Sequence, residues 1–141
     1  HHSWYQLPML QQMRAFMTDQ NWVLATVDEP QVGEGSVPLD FYETHAELAF
    51  IRLHGRHESG WVNRFASNEE WRKQRYLYDY AEDELQQLQQ QVQQLRAKDI
   101  FVIFNNNSGH HASKNAIQFQ RLMDIQYEHL ASKQLDLFEG E

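Results

Sequence analysis

Arg52, His54 and Arg56 alternate along Ile51-Arg52-Leu53-His54-Gly55-Arg56, directly after the apolar run Leu48 to Ile51. Guanidinium groups grip carboxylates and phosphates, and an imidazole exchanges a proton near neutral pH. The set therefore reads as an anion or carbonyl clamp with a titratable partner. Residues two apart on a strand point the same way, so Arg52 and His54 should share a face. Polar groups in a buried strand need a reason. Here it is either ligand binding or a structural ion pair for Arg52 with a hydrogen-bonded His54. Gly55 allows a tight turn or the close approach of a ligand.

A second apolar run, Ile100-Phe101-Val102-Ile103-Phe104, opens onto Asn105-Asn106-Asn107-Ser108-Gly109. The side-chain amides of Asn105 and Asn106 donate and accept hydrogen bonds. Ser108 and Gly109, ahead of a helix starting near His111, offer backbone N–H groups to an anion. Ordinary turn chemistry is the competing reading. Asp28 closes the run Trp22 to Val27 and is placed to act as a general base or ligand acceptor, or to cap a turn, whereas Glu29 reads as surface. In the aromatic connection between the two runs, Trp61 and Tyr78 are the expected ligand contacts, with Tyr76 and Tyr80 packing the loop. Trp4 is placed to help close the site. Asn115, one turn into the last helix, is expected to reach back toward the ligand, and Lys114 to stay in solvent. His110 and His111 are adjacent rather than four apart, so they do not match helical metal-ligand spacing, and no metal site is expected. No phosphate-binding loop, dinucleotide fingerprint or nucleophile elbow is present, and no particular cofactor is indicated.

Elements with characteristic periods must hold these residues. Leu10, Met13, Phe16 and Met17 recur at helical spacing over residues 7–20, with Pro8 in the first turn and Asn21 as the stop. Residues 22–27 and 48–54 read as buried strands separated by a loop at 31–40 containing two glycines and a proline. Ser67 with Glu70, and Asp79 with Glu82, have the spacing of capping boxes. Leu85, Leu88, Val92 and Leu95 form the clearest helical stripe, set among glutamines, and read as a solvated helix lying on a sheet. A strand at 99–104 and a helix at about 111–130, with Ala112, Ala116, Phe119, Met123 and Leu130 inward, complete the order. Leu135, Leu137 and Phe138 are expected to dock an extended tail. Strands alternating with helices predict parallel βα units, a single α/β domain over residues 1–141 and a site at the carboxyl ends of the strands.

The 141 residues suffice for one core, whereas a complete (β/α)8 barrel needs roughly 250. A net charge of −8 without a basic stripe argues against nonspecific nucleic-acid binding. The lack of cysteine excludes disulfides and thiolate chemistry and fits a reducing compartment, so a cytoplasmic location is expected. No run is long and apolar enough to span a bilayer, and no membrane association is expected.

Several groups of residues occur in an order that resembles the YecE-like family, also called domain of unknown function 72. They are His1-His2-Ser3-Trp4, Arg52-Leu53-His54-Gly55-Arg56, Trp61, Tyr76-Leu77-Tyr78-Asp79-Tyr80 with Glu84-Leu85, Phe104-Asn105-Asn106 and Lys114-Asn115-Ala116. The resemblance covers the chain from His1 to the tail at Phe138 and corresponds to the carboxyl-terminal half of that family. It implies a TIM-barrel-like fold and carries no assigned activity. It also implies that His1 is the family histidine, with His2 in place of a proline, which favours native residues over the scar of a purification tag. The first four strands, and an acidic residue expected before His1, would lie outside this chain. The segment Asn107 to His111 departs from the pattern.

Three readings of function stay open. One is an enzyme performing acid–base chemistry on a small polar or anionic substrate, phosphorylated ones included: His54 the acid or base, Arg52 and Arg56 the charge stabilisers, Asn105 and Asn106 the orienting groups. Another is a noncatalytic module for a metabolite or single-stranded nucleic acid, the latter disfavoured by charge. The third is an inactive fragment. An open half barrel should pair with its missing amino-terminal half or with a second copy of itself.

Overall fold

The computed structural model describes residues 1–62 and 67–127. Helix α1 (Met9–Asp19) precedes strand β1 (Thr26–Asp28), strand β2 (Leu48–Leu53), helix α2 (Asn68–Arg75), helix α3 (Glu82–Val92), strand β3 (Asp99–Phe104) and helix α4 (His111–Leu122). The three strands form one parallel sheet in the order β1-β2-β3. Ile51 lies between Thr26 and Val102, and Leu53 between Asp28 and Phe104. The chain is thus α/β with parallel βα units, as the alternation of strand and helix patterns predicts.

Side-chain alternation divides the sheet into unequal faces. Ala49, Ile51 and Leu53 point toward α3 and α4 and are buried. With Tyr80, Leu85, Leu88, Val92 and Phe119 they make the core, onto which Ile100, Val102 and Phe104 pack. The helical stripe Leu85, Leu88 and Val92 is buried as its spacing predicts. On the other face Arg52, Phe101 and Ile103 are exposed, with Phe101 half in solvent. β3 is consequently not the fully buried strand its composition predicts: one face is covered by helices and the other by nothing among the described residues.

The amino-terminal segment also departs from its pattern. Only Thr26–Asp28 pairs in the sheet. Ahead of it the Thr44 hydroxyl accepts from the Leu24 N–H at 2.8 Å and donates to the Trp22 carbonyl at 2.7 Å. One side chain thereby satisfies backbone groups that a neighbouring strand would otherwise take. In α1 only Met13 is buried; Phe16 lies in solvent against the edge of Trp22, ring centres 5.6 Å apart.

Helix ends follow local chemistry. Ser67 caps α2 by accepting from the Glu70 N–H at 3.1 Å, as the Ser67–Glu70 spacing predicts. The Asp79–Glu82 box does not form. Glu84 instead reaches back to the Ala81 N–H at 3.0 Å, and Asp79 is held by Lys114 and Asn115. α4 ends at Leu122, well before residue 130; Leu130 and the tail residues Leu135, Leu137 and Phe138 lie outside the described residues.

Candidate functional site

The carboxyl ends of β2 and β3 carry polar residues on both sides of the sheet, and the two sides differ in kind. On the open side the Arg52 Nε donates to the Asn105 Oδ1 at 3.1 Å. His54 follows, half-buried, its backbone N–H donating to the Asp28 carbonyl at 2.9 Å and so extending the ladder between β1 and β2. Its ring meets Trp61 edge-on at 6.2 Å and lies 6.0 Å from Tyr76. Arg75, the last residue of α2, covers the Trp61 ring with its guanidinium carbon 4.0 Å from the ring centre.

Burial lowers the His54 pKa to about 4, assisted by the positive charges of Arg52 and Arg75. The imidazole is therefore neutral at physiological pH. Among the described residues its Nδ1, shut off from solvent, meets no hydrogen-bond partner, and neither do the enclosed Nε1 of Trp61 and Nε of Arg75. Among the described residues no carboxylate forms an ion pair with Arg52 or Arg75. A chain of net charge −8 therefore gathers uncompensated cations around a neutral imidazole. Such a place favours a group that brings negative charge and hydrogen-bond acceptors.

On the helix-covered side the same strand ends build a closed network. Asp28 is almost fully buried; both carboxylate oxygens accept from the Arg56 Nε at 3.0 Å, and Oδ2 also accepts from the Tyr80 hydroxyl at 2.6 Å. Arg56 donates onward to Glu84 at 2.9 Å, and Glu84 accepts from the Tyr78 hydroxyl at 2.7 Å. Burial, followed by the Asp28 carboxylate, pushes the Tyr80 hydroxyl pKa far above its usual value, which keeps it a donor to Asp28. The Tyr80 oxygen accepts from the Gly55 N–H at 2.9 Å. Gly55 has φ +87°, and a Cβ there would come within 2.4 Å of the Tyr78 Cβ, so a turn residue without a side chain is required.

The loop after β3 divides its residues between these two sides. Asn106 and Asn115 are fully buried: the Asn106 amide donates to the Tyr78 carbonyl and the Asn115 Oδ1, each at 2.8 Å, and Asn115 clasps the backbone of Tyr80. They fasten α4 to the aromatic connection. Asn105 faces Arg52. The Ser108 N–H donates to the Tyr76 carbonyl at 3.3 Å. Gly109 and His110 both adopt left-handed backbone before α4 begins. Lys114 is exposed, as expected, and pairs with Asp79 at the surface.

The structure thus brings together Arg52, His54, Trp61 and Asn105 on the open side. It brings Asp28, Arg56 and Tyr78 together on the covered side, and it leaves Trp4 apart, exposed beside α1. Arg75 was not legible as a site residue. The available signal was the density of Trp71-Arg72-Lys73-Gln74-Arg75-Tyr76, which places three of the chain's 12 basic residues within four positions. Among the described residues no cluster of His, Asp and Glu could hold a metal ion. No helix there is long and apolar enough to cross a membrane.

Residues 1–137 match the family described as protein of unknown function DUF72. The chain is 42% identical over 138 residues to the UPF0759 protein YunF of Bacillus subtilis (strain 168), covering 96% of this chain and 49% of that one. A DUF72 family crystal structure from Enterococcus faecalis V583 superimposes with TM-score 0.86 at 42% identity, covering 96% of this chain and 49% of the other. One from Thermotoga maritima MSB8 does so with TM-score 0.74 at 30% identity, covering 89% and 44%. The chain spans about half the length of the relatives it matches.

Proposed function

The chain belongs to the DUF72 family, and on that premise we propose that it is an acid–base enzyme for a small anionic substrate held at the carboxyl ends of β2 and β3. The observation that carries this reading is the neutral His54 set between Arg52 and Arg75, with no carboxylate paired to either among the described residues. An entering anion supplies the missing charge. It offsets the repulsion that disfavours the imidazolium, raises the proton affinity of His54 and equips it as a general acid or base near neutral pH. Arg52, aimed by Asn105, grips the anion, and Trp61 and Tyr76 wall the ring side of the pocket.

Asp28 and Arg56 take a positioning role in this proposal, because each is saturated by the other and by Tyr80 or Glu84. Asn106 and Asn115 hold the loop rather than the ligand. Gly109 shapes the start of α4, and Tyr78 braces Glu84. A carboxylate for the second half of an acid–base pair would come from a covering segment, either a further half of the kind implied by the relatives' greater length or a second copy. The absence of cysteine suits a cytoplasmic setting.

The test is a panel of small carboxylate anions screened for binding and turnover on this chain and, in parallel, on the full-length Bacillus relative. Binding lost in Arg52→Ala, with turnover abolished in His54→Gln, supports the reading. Binding without turnover at any pH assigns a noncatalytic module instead, and indifference to Arg52→Ala refutes the site.

A further inference from the structure

Beside His54 a cleft of about 400 Å³ opens between the last turn of α2 and the loop after β3. Its walls include Arg72, Lys73, Arg75 and Tyr76 on one side and Asn107 and Ser108 on the other. The contact from the Ser108 N–H to the Tyr76 carbonyl joins the two walls. Cations in the final turn of a helix offset its negative end, which alone would account for Arg72 and Lys73. It does not account for Asn107 and Ser108, which arrive from a different element more than 30 residues away and add neutral hydrogen-bonding groups to the same cleft.

Among the described residues no carboxylate lines the cleft; Lys73 pairs with Glu69 in solvent, and Glu70 is its other acidic neighbour on the helix. Trp71, also in the wall, has its Nε1 enclosed without an acceptor among the described residues, as Arg75 has its Nε. The described walls of the cleft are thus rich in donors and cations and hold no carboxylate, in a chain of net charge −8. Such a lining is suited to a dianionic group with several acceptor oxygens.

Two residues of the cleft also stand beside His54 or its neighbours. Arg75 lines the cleft while stacking on Trp61, and Tyr76 lines it while standing 6.0 Å from the His54 ring. Building on the anion-site reading above, we infer that the substrate is a small organic phosphate whose phosphoryl group sits between Arg72, Lys73 and Ser108. The few atoms beyond it reach His54 past Tyr76 and Arg75. Arg72, Lys73 and Ser108 are then determinants of substrate class, while His54 and Arg52 act on the rest of the molecule.

The test is calorimetric titration of inorganic phosphate into the 141-residue chain at low ionic strength, with malonate as a second probe. The wild type, Arg72→Ala/Lys73→Ala and Arg52→Ala are compared. Arg72 and Lys73 are exposed and outside the core, so the double variant should fold, which far-ultraviolet circular dichroism checks. The inference expects the double variant to bind phosphate roughly tenfold more weakly or worse, and Arg52→Ala to stay within about twofold of the wild type. Phosphate binding that survives the double substitution but fails in Arg52→Ala overturns the phosphate seat and leaves the anion pocket at His54 standing. Absence of phosphate binding in the wild type also overturns the seat, and the Arg52 dependence of malonate binding then decides the anion pocket separately. Insensitivity of both probes to both variants removes both proposals.

Discussion

Replacing Tyr80 by Phe removes one oxygen atom and no packing volume, so its cost isolates the hydrogen-bonded network behind the site. Tyr80 is 2% exposed, and its ring would remain against Phe104 and Tyr78. Two interactions end together. The Gly55 N–H loses its acceptor at 2.9 Å in a buried turn, and Asp28 loses its donor at 2.6 Å while keeping Arg56. An orphaned buried donor costs about 1–3 kcal/mol, and a hydrogen bond to a charged group about 1.5–3 kcal/mol. Because the two share one hydroxyl they do not add in full, and a loss of about 3 kcal/mol is expected. For a chain of this length that is a fall in melting temperature of roughly 10 °C. Guanidinium unfolding of the wild type, Tyr80→Phe, Asp28→Asn and the double variant would measure it, with a coupling between the two positions of about 1 kcal/mol or more. A change below about 0.5 kcal/mol, or strict additivity, would refute the view that this hydroxyl ties the β2 turn to Asp28.

Other outcomes follow from the same geometry. Gly55→Ala forces a side chain into φ +87° and onto Tyr78, so stability should fall by roughly 2–4 kcal/mol in the same denaturant assay. His54 has a folded pKa of about 4 against an unfolded value near 6.5; between these the unfolded chain binds the extra proton, so stability should be full above about pH 6.5 and decline as pH falls toward 4. The shift corresponds to about 3 kcal/mol, which solvent screening of a half-buried ring reduces to roughly 1–2 kcal/mol, and His54→Gln should flatten that part of the pH–stability curve. Among the described residues nothing covers the apolar face of Phe101 and Ile103, so light scattering should detect concentration-dependent association of the 16.9 kDa chain, and Phe101→Glu should reduce it.

The sequence was readable where local pattern and tertiary packing agree. Leu85, Leu88 and Val92 have helical spacing and are buried along it; the runs at 48–53 and 99–104 are strands because their β-branched and aromatic residues fit a pleated, helix-covered surface. It misled where a distant residue intervened. Trp22 to Leu24 is apolar enough for a strand, yet Thr44, about 20 positions later, takes its backbone groups. Asp79 has the spacing to cap α3, but Lys114 and Asn115 claim its carboxylate from 35 and 36 positions away. In the candidate site, the alternation of Arg52 and His54 was visible, and the contribution of Arg75 was not. Arg75 reaches His54 only because the connection folds back over the strand end, with Gly60 admitting the Gln74 carbonyl where a Cβ would stand 2.5 Å away. Asn106 and Asn115 look like ligand groups in sequence because their amide chemistry is identical whether the partner is a substrate or a backbone carbonyl.

The most direct measurement follows the His54 ring by nuclear magnetic resonance, assigned against His54→Gln, from pH 3.5 to 8 without anion and with saturating malonate. A midpoint of about 4 without anion, moving up toward or beyond the ordinary imidazole value near 6.5 when malonate is present, is the expected result. A midpoint near 6.5 that malonate leaves unchanged would contradict the account, because His54 would then be neither crowded by cations nor coupled to a bound anion.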